Sequence, residues 1–383
     1  MNSSLMKSLL FLGMILLSAG PLPATETFTY QNPISSGLDP HGVRDCQIFR
    51  DNGRWYMVPT AWPHWPWQEK DGILNPGVTL YSSANLTDWK YEGVLVPHPS
   101  PEKWYAKRFW APEVHRINGK YYATFNCSNP DNGYPGQHFG YAVATGLHGP
   151  YRVVTEEKPL GSGNDFTLFQ DDDGRTWAFW SSRDRNFGIG FAEIDLEHGR
   201  FLTEPKSAIL PGAIDFETDA SGKTVIVPGY MGRPEPKIKR CHEWDSVGIE
   251  GPSVVKHNGR YLLFYSSWTR GYEIGFATAD SIRGPWKKNA SNPFYGGQNE
   301  ASCAKNHIAY SGESSNPFSQ VGHNSLFKGP DGRLWLSCHG ILKTKGKTAA
   351  VPLLVIDPID FDAQGNPLKK SPTYTKQTVL IRP

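Results

Sequence analysis

The sequence predicts an all-β protein, a five-bladed β-propeller with four antiparallel strands per blade. Three observations predict it. The 383 residues include 39 glycines, 31 prolines and 13 tryptophans, with few long helical patterns, a balance that favours many short strands and turns. One phrase recurs five times: an apolar strand, an Asn-Gly or Asp-Gly pair, then an aromatic-rich strand. Each copy is followed by further strand-like sequence with a polar turn in it. Two unrelated sandwiches would supply strands but not five copies of one hairpin, whereas four strands repeated five times is the arithmetic of a propeller.

The first residues stand outside that fold. "MNSSLMKSLLFLGMILLSAGPLPA" has Lys7, an apolar run from Leu9 to Leu17 and small residues after it, the layout of a secretory signal peptide. Residues 1–24 are expected to be removed, with cleavage after Gly20 or Ala24 and no nearby cysteine to carry a lipid. The run is shorter than the roughly 20 apolar residues a spanning helix needs. The mature protein is therefore expected to be soluble and exported, periplasmic or extracellular. Residues 25–383 are expected to form one propeller domain, as a monomer.

The blades follow in order. Their hairpins are "DCQIFRDNGRWYMVPTA", "WAPEVHRINGKYYATFNCS", "DFTLFQDDDGRTWAFWSS", "EGPSVVKHNGRYLLFYSS" and "HNSLFKGPDGRLWLSCHG", with turn glycines Gly53, Gly119, Gly174, Gly259 and Gly332. An Asn-Gly or Asp-Gly pair between apolar runs is the strongest short-range hairpin signal. Third and fourth strands are read from "TLYSSANLTDWKYEG", "GYAVATGLHGPYRVV", "GFAEIDLEHGRFLTE", "GFATADSIRGPWKKN" and "PLLVIDPIDFDAQGNPL".

Charge and cysteine content narrow the partners. A formal net charge of +2 without a basic block argues against nucleic acid or a membrane surface. Five cysteines, Cys46, Cys127, Cys241, Cys303 and Cys338, cannot all pair and show no CxxC spacing. Neither a disulfide framework nor a zinc site is expected.

In a propeller the first strand of every blade lines the central axis, and these strands run in one direction. Their starting positions gather around one mouth. Counting back from the turns, with the first blade's turn taken as one residue shorter, those positions hold Asp45, Trp110, Asp165, Glu250 and His323. Three carboxylates crowded onto a low-dielectric wall push at least one pKa upward. Glycoside hydrolysis uses that arrangement: a protonated carboxyl gives its proton to the leaving oxygen while an ionised one activates water.

These residues, with "FWAPEVHRINGKYY", "NDFTLFQDDDGRTW", "IEGPSVVKHNGRYLLFYSS" and "VGHNSLFKGPDGRLWLSCHG" in order, resemble glycoside hydrolase family 43 over roughly residues 28–370. The resemblance implies an inverting glycosidase, with α-L-arabinofuranosides and β-D-xylosides of plant-type polysaccharides the common substrates. It implies Asp45 as general base, Glu250 as general acid and Asp165 as the carboxylate that tunes the acid. It also implies a calcium or other ion near His323, held through water. Inversion needs room for water, so the Asp45 and Glu250 carboxyls are expected about 6.5–9.5 Å apart. The sequence departs from the family in carrying Cys46 where a proline is common.

The rim is read from two long segments, since such loops tend to be functional. "AWPHWPWQEKDGILNPG" carries Trp62, Trp65 and Trp67, and "YGGQNEASCAKNHIAYSGESSNPFSQVG" leads into His323. Trp62 and Trp65 are candidate sugar platforms, Trp67 is assigned to packing, and Trp110 is the candidate pocket floor. Arg44, with Arg183 or Arg185, is a candidate for substrate hydroxyls. Loops walling the mouth would give exo action. The rival readings are a sugar-binding propeller without catalysis, a retaining fructan-type hydrolase, a phosphorolytic propeller enzyme and a galactose- or galactofuranose-directed glycosidase. The three carboxylates, the absence of a "WMNDPNG"-like motif and the lack of a basic cluster at the mouth favour hydrolysis by the first route.

Overall fold

The computed structural model describes residues 26–69, 72–229, 233–343 and 351–381; the expected leader lies outside them. Five sheets radiate from one axis. Blade one holds strands Arg44–Asp51, Arg54–Thr60, Val78–Ser83 and Lys90–Val96 in that spatial order. Blades two, three and four begin at Lys107–Ile117, Asn164–Gln170 and Glu250–His257. In each of these three the fourth place is shared by two short strands, such as Lys287–Lys288 and Tyr295–Gln298 in blade four, both paired with Gly271–Ala279.

Blade five is a three-stranded sheet of Phe318–Lys328, Leu334–Leu342 and Leu353–Pro358. Its outer edge is covered by the start of the described chain. Ile34 bridges Leu354, and the Asn32 side chain acts as a surrogate peptide group. Its Nδ2 donates to Ile356 O at 2.8 Å and its Oδ1 accepts from Ile356 N at 3.0 Å. Pro33 between them has no N–H to extend a ladder, which is why no full strand forms. Thr27–Tyr30 pairs with Gln377–Leu380 and packs Phe28 and Tyr30 on Trp335, joining the two ends of the chain beside this blade.

Burial holds the ring together. Five apolar clusters form, one between each pair of neighbouring blades. Phe139, Tyr141, Phe166 and Trp180 join blades two and three, and Met57, Tyr81, Trp335 and Leu354 close blade one onto blade five. A fully buried side chain of this size contributes about 1.5–3 kcal/mol, so the closed ring leaves no blade edge stripped of its neighbour.

The hairpin turns are of two lengths. Blades one, two and four use two-residue Asn-Gly turns with both residues at positive φ (Asn52 46°, Gly53 80°; Asn118 49°, Gly119 77°; Asn258 49°, Gly259 77°), the type I′ geometry that matches strand twist. Blades three and five are one residue longer. There Asp171 N donates to Arg175 O and Gly329 N to Arg333 O, each at 2.9 Å, with only the last loop residue, Gly174 or Gly332, left-handed.

One element has no counterpart in the repeat. Between blades three and four the chain leaves on a short stem, Ile214–Phe216 against Ile238–Cys241, that carries two small hairpins, one bridged by Thr218 and Thr224 and one pairing Ile226–Pro228 with Pro234–Pro236, all exposed along most of their length. Arg185 pins its base, donating to Gly212 O at 2.6 Å and to Ser246 O. That bonding, rather than substrate contact, is what the structure gives Arg185.

Candidate active site

Each innermost strand carries a β-bulge at the same place. Two residues, 45–46, 111–112, 165–166, 251–252 or 323–324, face one residue of the second strand. The first residue of every bulge is left-handed: Asp45 (φ 51°), Ala111 (41°), Asp165 (58°), Gly251 (60°) and His323 (54°). Outside glycine such a conformation costs about 1–2 kcal/mol, and bulges serve to re-aim side chains beside active sites. Asp45, Asp165 and His323 are therefore one equivalent set. Trp110 and Glu250 sit one residue earlier, level with Arg44. The turn lengths explain the correction, since it is blades one, two and four, not blade one alone, that have the shorter turn.

A bulge frees backbone N–H groups, and buried ones need partners. The neighbouring blade supplies them from the end of its second strand. Ala111 N donates to Thr60 Oγ1 at 2.7 Å, Phe166 N to Asn126 Oδ1 at 3.3 Å, His323 N to Ser266 Oγ at 2.9 Å and Asp45 N to His339 Nδ1 at 3.2 Å. Between blades three and four the acceptor is Asp165 itself, whose Oδ2 takes Gly251 N at 2.9 Å. This polar belt was not visible in the sequence, because its members share no residue type.

The belt also sets the carboxylates. Thr60 accepts from Ala111, so its hydroxyl hydrogen goes to Asp45 Oδ2 at 2.7 Å. Asp45 Oδ1 is buried without a hydrogen-bond partner among the described residues, although His323 Nδ1 lies 3.2 Å away and Arg44 Nη2 3.9 Å away. Burial alone would raise the Asp45 pKa. The charges of His323 and Arg44 and the Thr60 hydrogen bond outweigh it, holding the group well below the ordinary carboxylate range. Asp45 is ionised with one oxygen open to accept.

Glu250 is the opposite case. Burial and then the charge of Asp165 push its pKa up to about 7, against the opposing pull of His323 and a hydrogen bond from Tyr272. Tyr272 donates to Oε1 through a very short contact, which leaves Oε2 to carry a proton. Asp165 is itself raised, by burial first, with His323 opposing and Asp45 adding to the shift. His323 stands among the three carboxylates. Burial lowers its pKa, but Asp45, Asp165 and Glu250 together raise it above the usual histidine value.

Two distances from His323 Nδ1, 3.2 Å to Asp45 Oδ1 and 4.0 Å to Glu250 Oε1, cap the separation of those oxygens at their sum, about 7.2 Å. That limit admits the lower part of the spacing that seats a water between the two groups, about 6.5–9.5 Å.

The expected cation has three candidate donors here. Asp165, Glu250 and His323 have ligand atoms within 4.8 Å of one another. Calcium takes six to eight oxygens, and this group offers two carboxylates and an imidazole, so water would complete the shell.

The rim tryptophans separate. Trp65 has the Arg44 guanidinium 4.0 Å over its ring, Trp67 stacked at 5.2 Å and Trp110 edge-on at 6.2 Å. It braces Arg44 and Trp110 and is itself partly exposed. Trp62 stacks on His41 at 4.3 Å and lines a groove of about 380 Å³ with Tyr81 and Tyr91 on the flank of blade one. Trp110 remains partly exposed at the axis. Arg44 Nε also lies 3.4 Å from His339 Nε2.

The chain is similar to known proteins. The chain is 26% identical over 309 residues to an extracellular exo-α-(1→5)-L-arabinofuranosidase of Streptomyces chartreusis, covering 76% of this chain and 80% of that one. It is 24% identical to xylosidase/arabinosidase 43B of Humicola insolens across 80% of its own length, but spans only 48% of that relative. A crystal structure of a thermostable family-43 glycoside hydrolase superposes with a TM-score of 0.65 at 24% identity, covering 92% of this chain and 99% of that one. The model of the glycosyl hydrolases family 43 matches residues 30–367. The chain belongs to that family and is a glycoside hydrolase acting on carbohydrate.

Proposed function

We propose that the protein is an exported, inverting, exo-acting α-L-arabinofuranosidase or β-D-xylosidase. Asp45 is the general base, Glu250 the general acid and Asp165 the group that keeps the acid protonated. The observation that carries this reading is the divergence of two neighbouring carboxyls. Asp45 is held ionised by His323 and Arg44, while Glu250 is raised to about 7 by burial and Asp165. Environments that push two titratable groups apart mark the acid and the base.

In the reaction, Asp45 Oδ1 accepts a proton from water as the water oxygen bonds to the anomeric carbon. The glycosidic C–O bond breaks with its electrons on the leaving oxygen, which takes the proton from Glu250 Oε2. His323 and Arg44 keep Asp45 ionised until then. Hydrolysis by this route runs on side chains alone; activity that survives dialysis against a chelator supports it, and loss restored by calcium contradicts it. Export is supported by the amino-terminal pattern and by the extracellular relative. Among the described residues no helix is long and apolar enough to cross a membrane.

The test is proton NMR of the first-formed anomer, on whichever of the nitrophenyl arabinofuranoside, xyloside, galactoside and galactofuranoside the enzyme cleaves. Inversion on an arabinofuranoside or xyloside supports the proposal. Retention, or cleavage confined to the galactose series, contradicts it.

A further inference from the structure

Trp268 is 40% exposed and has neither a ring partner nor a hydrogen-bond acceptor for its indole N–H among the described residues. Its position follows from the blade-four hairpin. Glu250 pairs with Ser266, and the two chains run on together beyond that pair, with Val247 N donating to Thr269 Oγ1 at 2.8 Å. Two steps along, Gly248 therefore faces Trp268. Residues two apart share a face of a strand, which puts Trp268 on the same face as Glu250, its diagonal neighbour at about 7–8 Å between backbones.

Gly248 shows how the indole lies. A Cβ built there would come within 2.3 Å and 2.5 Å of Trp268 Cζ2 and Cη2. The benzo ring thus rests on the backbone that leads into the acid, in space that any other residue would fill. One side of the ring is backed by main chain, and 40% of the residue stays exposed.

We infer that Trp268 is the platform for the sugar ring on the leaving-group side of the scissile bond. This rests on the reading of Glu250 as the acid, because the group that protonates the leaving oxygen lies beside the departing sugar. The open indole takes the C–H face of that ring, an apolar contact strengthened by the aromatic quadrupole. Of the tryptophans named at the rim, Trp65 stacks on Trp67 beneath Arg44 and Trp62 lies against His41; Trp268 adjoins the acid without a ring partner among the described residues.

The test compares a disaccharide with a methyl glycoside in the series the wild type cleaves: α-1,5-arabinobiose with methyl α-L-arabinofuranoside, or β-1,4-xylobiose with methyl β-D-xyloside. Trp268→Ala is expected to lower kcat/KM at least tenfold more for the disaccharide than for the methyl glycoside, and Trp268→Phe to recover most of the difference. Trp268→Leu, which keeps the space over Gly248 filled but is not flat, is expected to behave as alanine and serves if the alanine variant does not fold. Equal losses on both substrates, or no loss on the disaccharide, overturn the proposal. Failure of the acid assignment shows separately, as Glu250→Gln losing good and poor leaving groups alike.

Discussion

Tyr272 donates its phenolic hydrogen to Oε1 of Glu250 while standing 3.4 Å from His323 Nδ1. A buried tyrosine on the third strand of blade four thereby selects which oxygen of the acid holds its proton. Its own pKa lies far above the ordinary value, through burial and then the charge of Glu250, so it remains a donor across the working range.

Asp165 and Tyr272 act on Glu250 with opposite sign. The Asp165 charge raises the acid's pKa and the Tyr272 hydrogen bond lowers it. Activity needs Glu250 protonated, so kcat/KM is expected to fall as pH rises through about 7. Asp165→Asn should move that alkaline limb to lower pH and Tyr272→Phe to higher pH, each by about one unit, a shift worth about 1.4 kcal/mol. The pH profiles of the two variants check this, and movement in the same direction would be wrong for both residues.

Thr60 serves two blades. Removing its hydroxyl leaves Ala111 N–H without its partner and takes a hydrogen bond from Asp45. Thr60→Val is expected to destabilise the fold by about 1–3 kcal/mol and to raise the acidic limb of the pH profile, because the bond it removes lowers the Asp45 pKa. Thr60→Ser should restore both. Denaturant melts and pH profiles of the two variants decide it.

Gly322 makes room for Tyr272. A Cβ at 322 would stand 2.5–2.8 Å from carbons of the Tyr272 ring. Gly322→Ala is expected to cost about 1–3 kcal/mol by overpacking and to displace the tyrosine from Glu250. Pairing it with Tyr272→Phe separates the effects: the double variant should keep the loss of stability yet show no further change in pH profile beyond Tyr272→Phe.

Much of this was legible in the sequence, and the limits have physical causes. The five hairpins announce the propeller through their turn glycines, and counting back finds Asp45, Asp165, Glu250 and His323. Counting also merges two levels of the mouth, because "DDDG" and "GPDG" turns are one residue longer than "NG" turns. That difference was readable and would have placed Glu250 level with Arg44. Thr60, Ser266, Tyr272 and His339 were missed because they sit on second and third strands, where nothing in the local pattern distinguishes a residue facing the axis from one packed between blades. The exposed excursion between Phe216 and Ile238 breaks the repeat without interrupting it, so the repeat gives no sign of it.

The assignment of acid and base is tested most directly by leaving-group rescue of two variants. The account predicts that Glu250→Gln and Asp45→Asn both lose activity on a glycoside with a poor leaving group. On a glycoside with a good leaving group, which needs little protonation, Glu250→Gln regains a large part of its rate and Asp45→Asn does not. Rescue of Asp45→Asn, or equal rescue of both, would contradict it.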